Sequence, residues 1–97
     1  MSKARLDEST IDARLQQLEH WERDGDAIKR SIQFDDFLSA ISFINRIADH
    51  AEAADHHPEI FNVYNTVDLT LTTHDADGLT EKDFALAKRI NGEVQTS

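Results

Sequence analysis

An α+β fold in the order α-β-β-α-β-β-α is predicted for this chain by three observations. Apolar residues recur at helical spacing in three separate stretches, and between them two segments alternate apolar with polar side chains. Short turn signals join the members of each strand pair, so the pairs are antiparallel. Helices this one-sided must cover a sheet face. A chain of 97 residues makes one domain, and at that size association of subunits would help its stability.

The elements follow in order. Residues 1–6 are expected to fray. Asp7 can cap a first helix with a narrow stripe of Ile11, Leu15 and Leu18, ending near His20 or Trp21. Residues 22–26 carry a turn signal centred on Asp24-Gly25. Ile28, Ile32 and Phe34 then alternate with Lys29, Ser31 and Gln33 in a half-buried strand, with Arg30 as the misfit on its inner face. Trp21 and its neighbours supply a short partner strand. Asp35 or Asp36 starts a second helix bearing Phe37, Leu38, Ile41, Phe43, Ile44, Ile47, Ala48 and Ala51. A stripe this broad predicts contact with more than one neighbour. The helix must stop before Pro58, which disfavours helical geometry at His57.

Phe61 and Val63 point one way along a third strand, and Asn65-Thr66 is the expected tight connection. Val67, Leu69 and Leu71 continue the alternation, with Asp68, Thr70 and Thr72 on the other, wet face. Strict alternation puts His74 with Thr70 and Thr72. Residues 75–78 form a loop. Thr80 caps a third helix with Phe84, Leu86, Ala87 and Ile90 inward, and Asn91-Gly92 is placed to end it before a loose tail.

Bulk chemistry excludes some functions. The formal charge of -9, from 19 acidic and 10 Lys or Arg residues, repels a phosphate backbone and argues against direct nucleic-acid binding. The acidity reads first as a solubility surface. With no cysteine, disulfides and thiolate metal ligands are excluded, which fits a reducing compartment. No apolar run approaches the ~20 residues of a membrane span. The first residues lead into acidic ones rather than a hydrophobic stretch, so no secretory signal is expected. The expected location is the cytoplasm.

The chemistry-bearing residues cluster between positions 52 and 83. His56 and His57 are adjacent at a helix-to-strand corner stiffened by Pro58, and His74 follows at a strand end. Imidazole is the side chain suited to proton transfer near neutral pH. Adjacent residues of a strand point to opposite faces, but a turning backbone lets both rings line one cleft. Asp55 is placed to hydrogen-bond an imidazole and fix its tautomer, and Glu52 lies one helical turn before His56. Thr80-x-x-Asp83 has capping-box spacing, which is compatible with a role at a site. Adjacent histidines rarely chelate one ion together, so no metal is expected. His20 and His50 carry no motif and read as structural, His50 on the exposed face of the second helix.

Four pieces together resemble the pterin-4a-carbinolamine dehydratase family, also known as the dimerisation cofactor of hepatocyte nuclear factor. They are Asp55-His56-His57-Pro58, Phe61-Asn62-Val63-Tyr64-Asn65, Val67-x-Leu69-x-Leu71-x-Thr73-His74 and Gly78-Leu79-Thr80-x-x-Asp83. Trp21 and Phe34-x-x-Phe37 stand in compatible places, and the resemblance spans about residues 7–92 of 97. It implies a four-stranded antiparallel sheet with three helices on one face. Subunits would pair through their sheets and again through helices, as a dimer or tetramer. The implied activity removes water from 4a-hydroxytetrahydrobiopterin to give the quinonoid dihydropterin in cofactor recycling, with no metal or cofactor. His56 and His74 would be the proton-transfer pair and His57 would orient the pterin. Glu52 and Asp83 would set the histidines' orientation, Pro58 would form wall, and Asp55, Thr73 and Trp21 complete the supporting set.

The departures are modest. His20 stands where the family often has Gly, the stretch between Trp21 and Phe34 is short, and Ile60 replaces a common aromatic residue. An alternative implied role is an interaction module that binds a transcription factor's dimerisation helix around Phe43 and Ile47. A third is another pterin-dependent pathway.

Overall fold

Two aspartates start the first two helices as side-chain caps. Asp7 Oδ1 accepts from Thr10 N at 2.8 Å and Asp36 Oδ1 from Ser39 N at 2.8 Å, each satisfying an amide the helix leaves without a partner. In the computed structural model, which describes residues 5–95, the order is α1 (Glu8–Gln16), β1 (Glu22–Asp24), β2 (Ala27–Gln33), α2 (Phe37–Ala54), β3 (Glu59–Val63), β4 (Thr66–Leu71) and α3 (Glu81–Gln95). A 3-10 turn at His74–Ala76 precedes α3. The strands form one antiparallel sheet in the order β1-β2-β4-β3. This is the α+β architecture the sequence predicts.

Alternation puts Ile28 and Ile32 of β2, and Val67, Leu69 and Leu71 of β4, on the covered face. They bury against Phe43 and Ile47 of α2 and Leu86 and Ile90 of α3. Each such side chain contributes about 1.5–3 kcal/mol by leaving water. Phe34, just past β2, stacks on Phe43 with ring centroids 4.9 Å apart. The Arg30 misfit is resolved by hydrogen bonding: its Nη1 reaches Asn91 Oδ1 at 2.5 Å, where Trp21 Nε1 also donates at 2.8 Å. Burial pushes the Arg30 guanidinium below its ordinary value, with Glu19 opposing.

Several boundaries differ from expectation. α1 ends at Gln16 rather than near His20. Leu18 still buries, but from a turn that leads to His20 at φ 76°. Of the residues expected to fray, 1–4 lie outside the described residues, whereas Leu6 packs on the core and donates its amide to Leu79 O at 2.8 Å. The hairpin turns at Tyr64-Asn65, not Asn65-Thr66, because Val63 pairs with Thr66. A two-residue loop pairs odd-numbered positions with even-numbered ones across the hairpin. Phe61 therefore sits opposite Asp68 on the open face, and Ile60 pairs with Leu69 on the covered one. β3 is an edge strand, with Phe61, Val63 and Tyr64 about 60% exposed.

Asn91-Gly92 does not end α3. The helix runs on to Gln95, since Asn91 spends its amide on Trp21, Arg30 and Glu19 O. Glu93 is not loose either. It bonds Arg46 Nε at 3.0 Å and His50 Nε2 at 2.8 Å, which brings His50 to a half-buried place between α2 and α3. Finally, Phe43 and Ile47 lie at 0% and 1% exposure and cannot form an outer contact face. Helical phase puts Phe37 and Leu38 outward instead, at 45% and 76%.

Candidate functional site

The histidine corner begins where α2 stops. Asp55 adopts the left-handed conformation at φ 51°, and the His56 amide reaches back to Ala51 O at 3.1 Å. This is a Schellman-type helix end with Asp in the place glycine often takes. The turn sends the next two side chains to different depths: His56 is buried and His57 is exposed.

His56 is held from α3. Its Nε2 lies 2.6 Å from Asp83 Oδ1, and the Asp83 side chain is wholly buried. The other carboxylate oxygen, Oδ2, accepts from Thr73 Oγ1 at 2.8 Å and Thr80 N at 2.9 Å. Thr73 and Thr80 hydroxyls are themselves 2.9 Å apart, and Thr80 Oγ1 accepts from Lys82 N at 3.2 Å. Proton accounting orders this network. Thr73 has one proton and gives it to Asp83, so Thr80 donates to Thr73. The carboxylate accepts throughout, so His56 Nε2–H is the donor and Nδ1 is the ring nitrogen left for a ligand. The carboxylate half of the capping box expected at Thr80 and Asp83 is present, with Thr80 Oγ1 capping Lys82 N instead of Asp83 N, and the same carboxylate holds His56.

His57 Nε2 bonds Glu52 Oε1 at 2.6 Å, with both side chains more than half exposed. Glu52 thus serves His57, five residues on, rather than His56. Asp55 borders the cleft, and neither imidazole is bonded to its carboxylate. His74 opens the 3-10 turn, which a Thr73–Gly78 backbone pair closes at 3.0 Å and 3.3 Å. Its ring is exposed and has no hydrogen-bond partner among the described residues.

All three rings line one cleft of about 250 Å³ with Asp55, Thr72, Thr73, Asp75 and Lys82. Pro58 and Glu52 do not line this cleft. Trp21 is elsewhere, buried and bonded to Asn91. Sequence reasoning missed Thr72, Asp75 and Lys82. The first two flank the Thr73-His74 pair, and Lys82 adjoins Asp83 in the first turn of α3, so proximity to motif residues was the available signal. A larger cleft of about 410 Å³ lies on the sheet beside His20, Lys29, Ser31, Asp68 and Thr70, and none of His56, His57 and His74 lines it. Among the described residues no three His, Asp or Glu side chains are grouped to hold a metal ion, and no helix is long and apolar enough to cross a membrane.

Fold and cleft together define an α+β protein whose concave site presents imidazoles, carboxylates and hydroxyls, groups that give and take protons. A family model described as pterin 4 alpha carbinolamine dehydratase matches residues 4–92. The chain is 52% identical over 87 residues to a protein of Thermomicrobium roseum provisionally named pterin-4-alpha-carbinolamine dehydratase, covering 90% of this chain and 94% of the relative. A relative of the same provisional name from Novosphingobium aromaticivorans is 53% identical over 92 residues, covering 93% and 96%. A crystal structure from Brucella melitensis, described as a transcriptional coactivator/pterin dehydratase, superposes with a TM-score of 0.89 at 44% identity over 92% of this chain and 97% of that one. A pterin dehydratase-like RuBisCO assembly factor of the alpha-carboxysome shares the fold at a TM-score of 0.66 and 20% identity, over 79% of this chain and 89% of that one. The chain belongs to the pterin-4-alpha-carbinolamine dehydratase family.

Proposed function

We propose that the protein is a 4a-hydroxytetrahydrobiopterin dehydratase of tetrahydrobiopterin recycling, and that His56, His57 and His74 carry the reaction. The observation that supports this most is the convergence of three imidazoles from two distant segments on one cleft. Its volume of about 250 Å³ lies just below the ~300–1,000 Å³ of drug-sized pockets, in keeping with a small flat heterocycle.

The elimination is redox-neutral. The C4a–O bond breaks as the hydroxyl takes a proton and leaves as water. A ring N–H loses its proton, and its electron pair becomes the new C=N bond. One positioned acid and one positioned base serve these steps, each worth ~10²–10⁴-fold. His56, fixed through Nε2 by Asp83, and His74, from the 3-10 turn after β4, are the proton-transfer pair in this reading. His57, steadied by Glu52, orients the ring. Thr73 acts through Asp83 as a positioning residue. The protein should accelerate the decay of a 4a-hydroxypterin generated in a hydroxylase-coupled assay without added metal. Decay at the uncatalysed rate would refute the activity.

The proposal extends to assembly and to location in the cytoplasm. Exposed Phe61, Val63 and Tyr64 around the edge strand β3, and Phe37 and Leu38 on α2, support pairing of subunits into a dimer or tetramer, since an open apolar edge strand invites association. The exposed start of α2 also favours a second reading, an interaction module for a transcription-factor helix. Light scattering separates the two. A dimer or tetramer is expected, whereas an inactive monomer would favour the module.

A further inference from the structure

A second cleft adjoins the histidine cleft and shares two of its walls. Thr72 and His74 line both. The second cleft has a volume of about 430 Å³ and adds Arg5, Asp26, Ala27, Asp77 and Gly78. A ligand ring in the first cleft that carries a substituent would therefore meet this space directly beyond His74.

The wall of that space is built by chain segments far apart in sequence. The Leu6 amide donates to Leu79 O at 2.8 Å, which lays the preceding residue along the loop before α3. Arg5 Nη1 donates to Asp77 O at 3.2 Å. The arginine stem crosses Gly78 so closely that a Cβ there would stand 2.8 Å from Arg5 Cδ. On the other side Thr72 Oγ1 donates to Asp26 O at 2.6 Å, which ties the end of β4 to the β1–β2 turn. The guanidinium keeps further N–H donors, and the Thr72 hydroxyl keeps acceptor capacity. Two aspartates stand against one arginine in the lining. Donors and acceptors in one neutral-to-acidic wall suit hydroxyl groups and repel an anionic tail.

We infer that the cleft bounded by Arg5, Asp26, Thr72, Asp77 and Gly78 is a subsite for a hydroxylated substituent on the ligand ring, and that Arg5 and Thr72 select for it. The inference rests on the histidine cleft being the pterin site, where the substituent would be the dihydroxypropyl chain at C6.

The test is equilibrium binding of three stable probes to the full chain: 7,8-dihydrobiopterin, 6-methyl-7,8-dihydropterin and 7,8-dihydrofolate. The protein should prefer the dihydroxypropyl probe over the methyl one by about tenfold, the scale of one or two hydrogen bonds. Arg5→Ala should reduce that preference to within about twofold while methyl-probe affinity stays unchanged. Gly78→Ala, whose Cβ would stand 2.8 Å from Arg5 Cδ and push the arginine stem aside, should do the same. Equal binding of the two pterins, a preference that survives Arg5→Ala, or tighter binding of the anionic dihydrofolate would each overturn the subsite and leave the pterin reading standing. Binding of neither pterin would overturn both.

Discussion

His56 and His74 face one cleft yet are held in opposite ways. His56 is buried and locked through Asp83 to two threonines and a helix N-terminus, so its orientation is part of the folded core. His74 is exposed on a short turn and its ring is tied to nothing among the described residues. One imidazole is preorganised at the expense of a buried polar network, and the other is free to adjust to a ligand. Buried networks matter to stability only when complete. The contrast teaches that perturbing the first region should strike fold and activity together, while perturbing the second should strike activity alone.

The largest expected effect is at Asp83. Asp83→Ala leaves His56, Thr73 and the Thr80 amide without an acceptor, at about 1–3 kcal/mol for each unsatisfied buried group. Urea denaturation should report a loss of at least ~3 kcal/mol, with activity falling in parallel. A loss below ~1 kcal/mol would mean the network is slack. Next comes His74→Ala, which should cost ~10²–10⁴-fold in dehydration rate while stability moves by less than ~0.5 kcal/mol. A thermal shift comparable to that of Asp83→Ala would erase the distinction between the two regions.

Glu52→Gln sharpens the comparison from the third ring. The Glu52–His57 pair is largely exposed, and such pairs are worth ~0–1 kcal/mol. The fold should be unmoved, and the change should appear in KM rather than kcat if His57 orients the ring. The smallest effect concerns acid stability away from the site. Side-chain and backbone hydrogen bonds to Thr10 and Ser39 hold the Asp7 and Asp36 carboxyls below their ordinary values, and Arg14 does the same for Glu81. Groups with lowered values in the fold stabilise it above the unfolded value, about 4, and that share is lost as pH falls through the folded value. Urea midpoints should decline below about pH 4, and less steeply in Asp36→Asn. A midpoint that rises on acidification would contradict the sign.

Much of the fold was legible in the sequence because the helical and strand periods are strong around Ile28, Ile47, Leu69 and Leu86. Boundaries failed where a polar side chain changed the meaning of a signal. Asn91 read as a helix stop, and a stop is its usual local sense, but distant Trp21 and Arg30 claim its amide. The hairpin turns one residue early at Tyr64, which takes φ 51° without a glycine to announce it, and a two-residue loop pairs odd with even positions, which puts Phe61 and Val63 on the open face. At the candidate site the histidines, Asp83 and Thr73 were visible as motif residues. Which acid serves which imidazole was not, because pairing depends on the left-handed turn at Asp55 that separates His56 from His57 in depth. Lys82 and Trp21 show the same limit in both directions: proximity in sequence concealed one lining residue, and the motif enlisted another that lies elsewhere.

The most direct measurement is the coupled dehydration assay on a double-mutant cycle of His56→Ala and His74→Ala. Two groups that act on one bound ring should be strongly non-additive, so the double variant should fall to the uncatalysed rate and scarcely below the worse single. A double variant that keeps the acceleration of the unaltered protein would contradict a shared proton-transfer cleft.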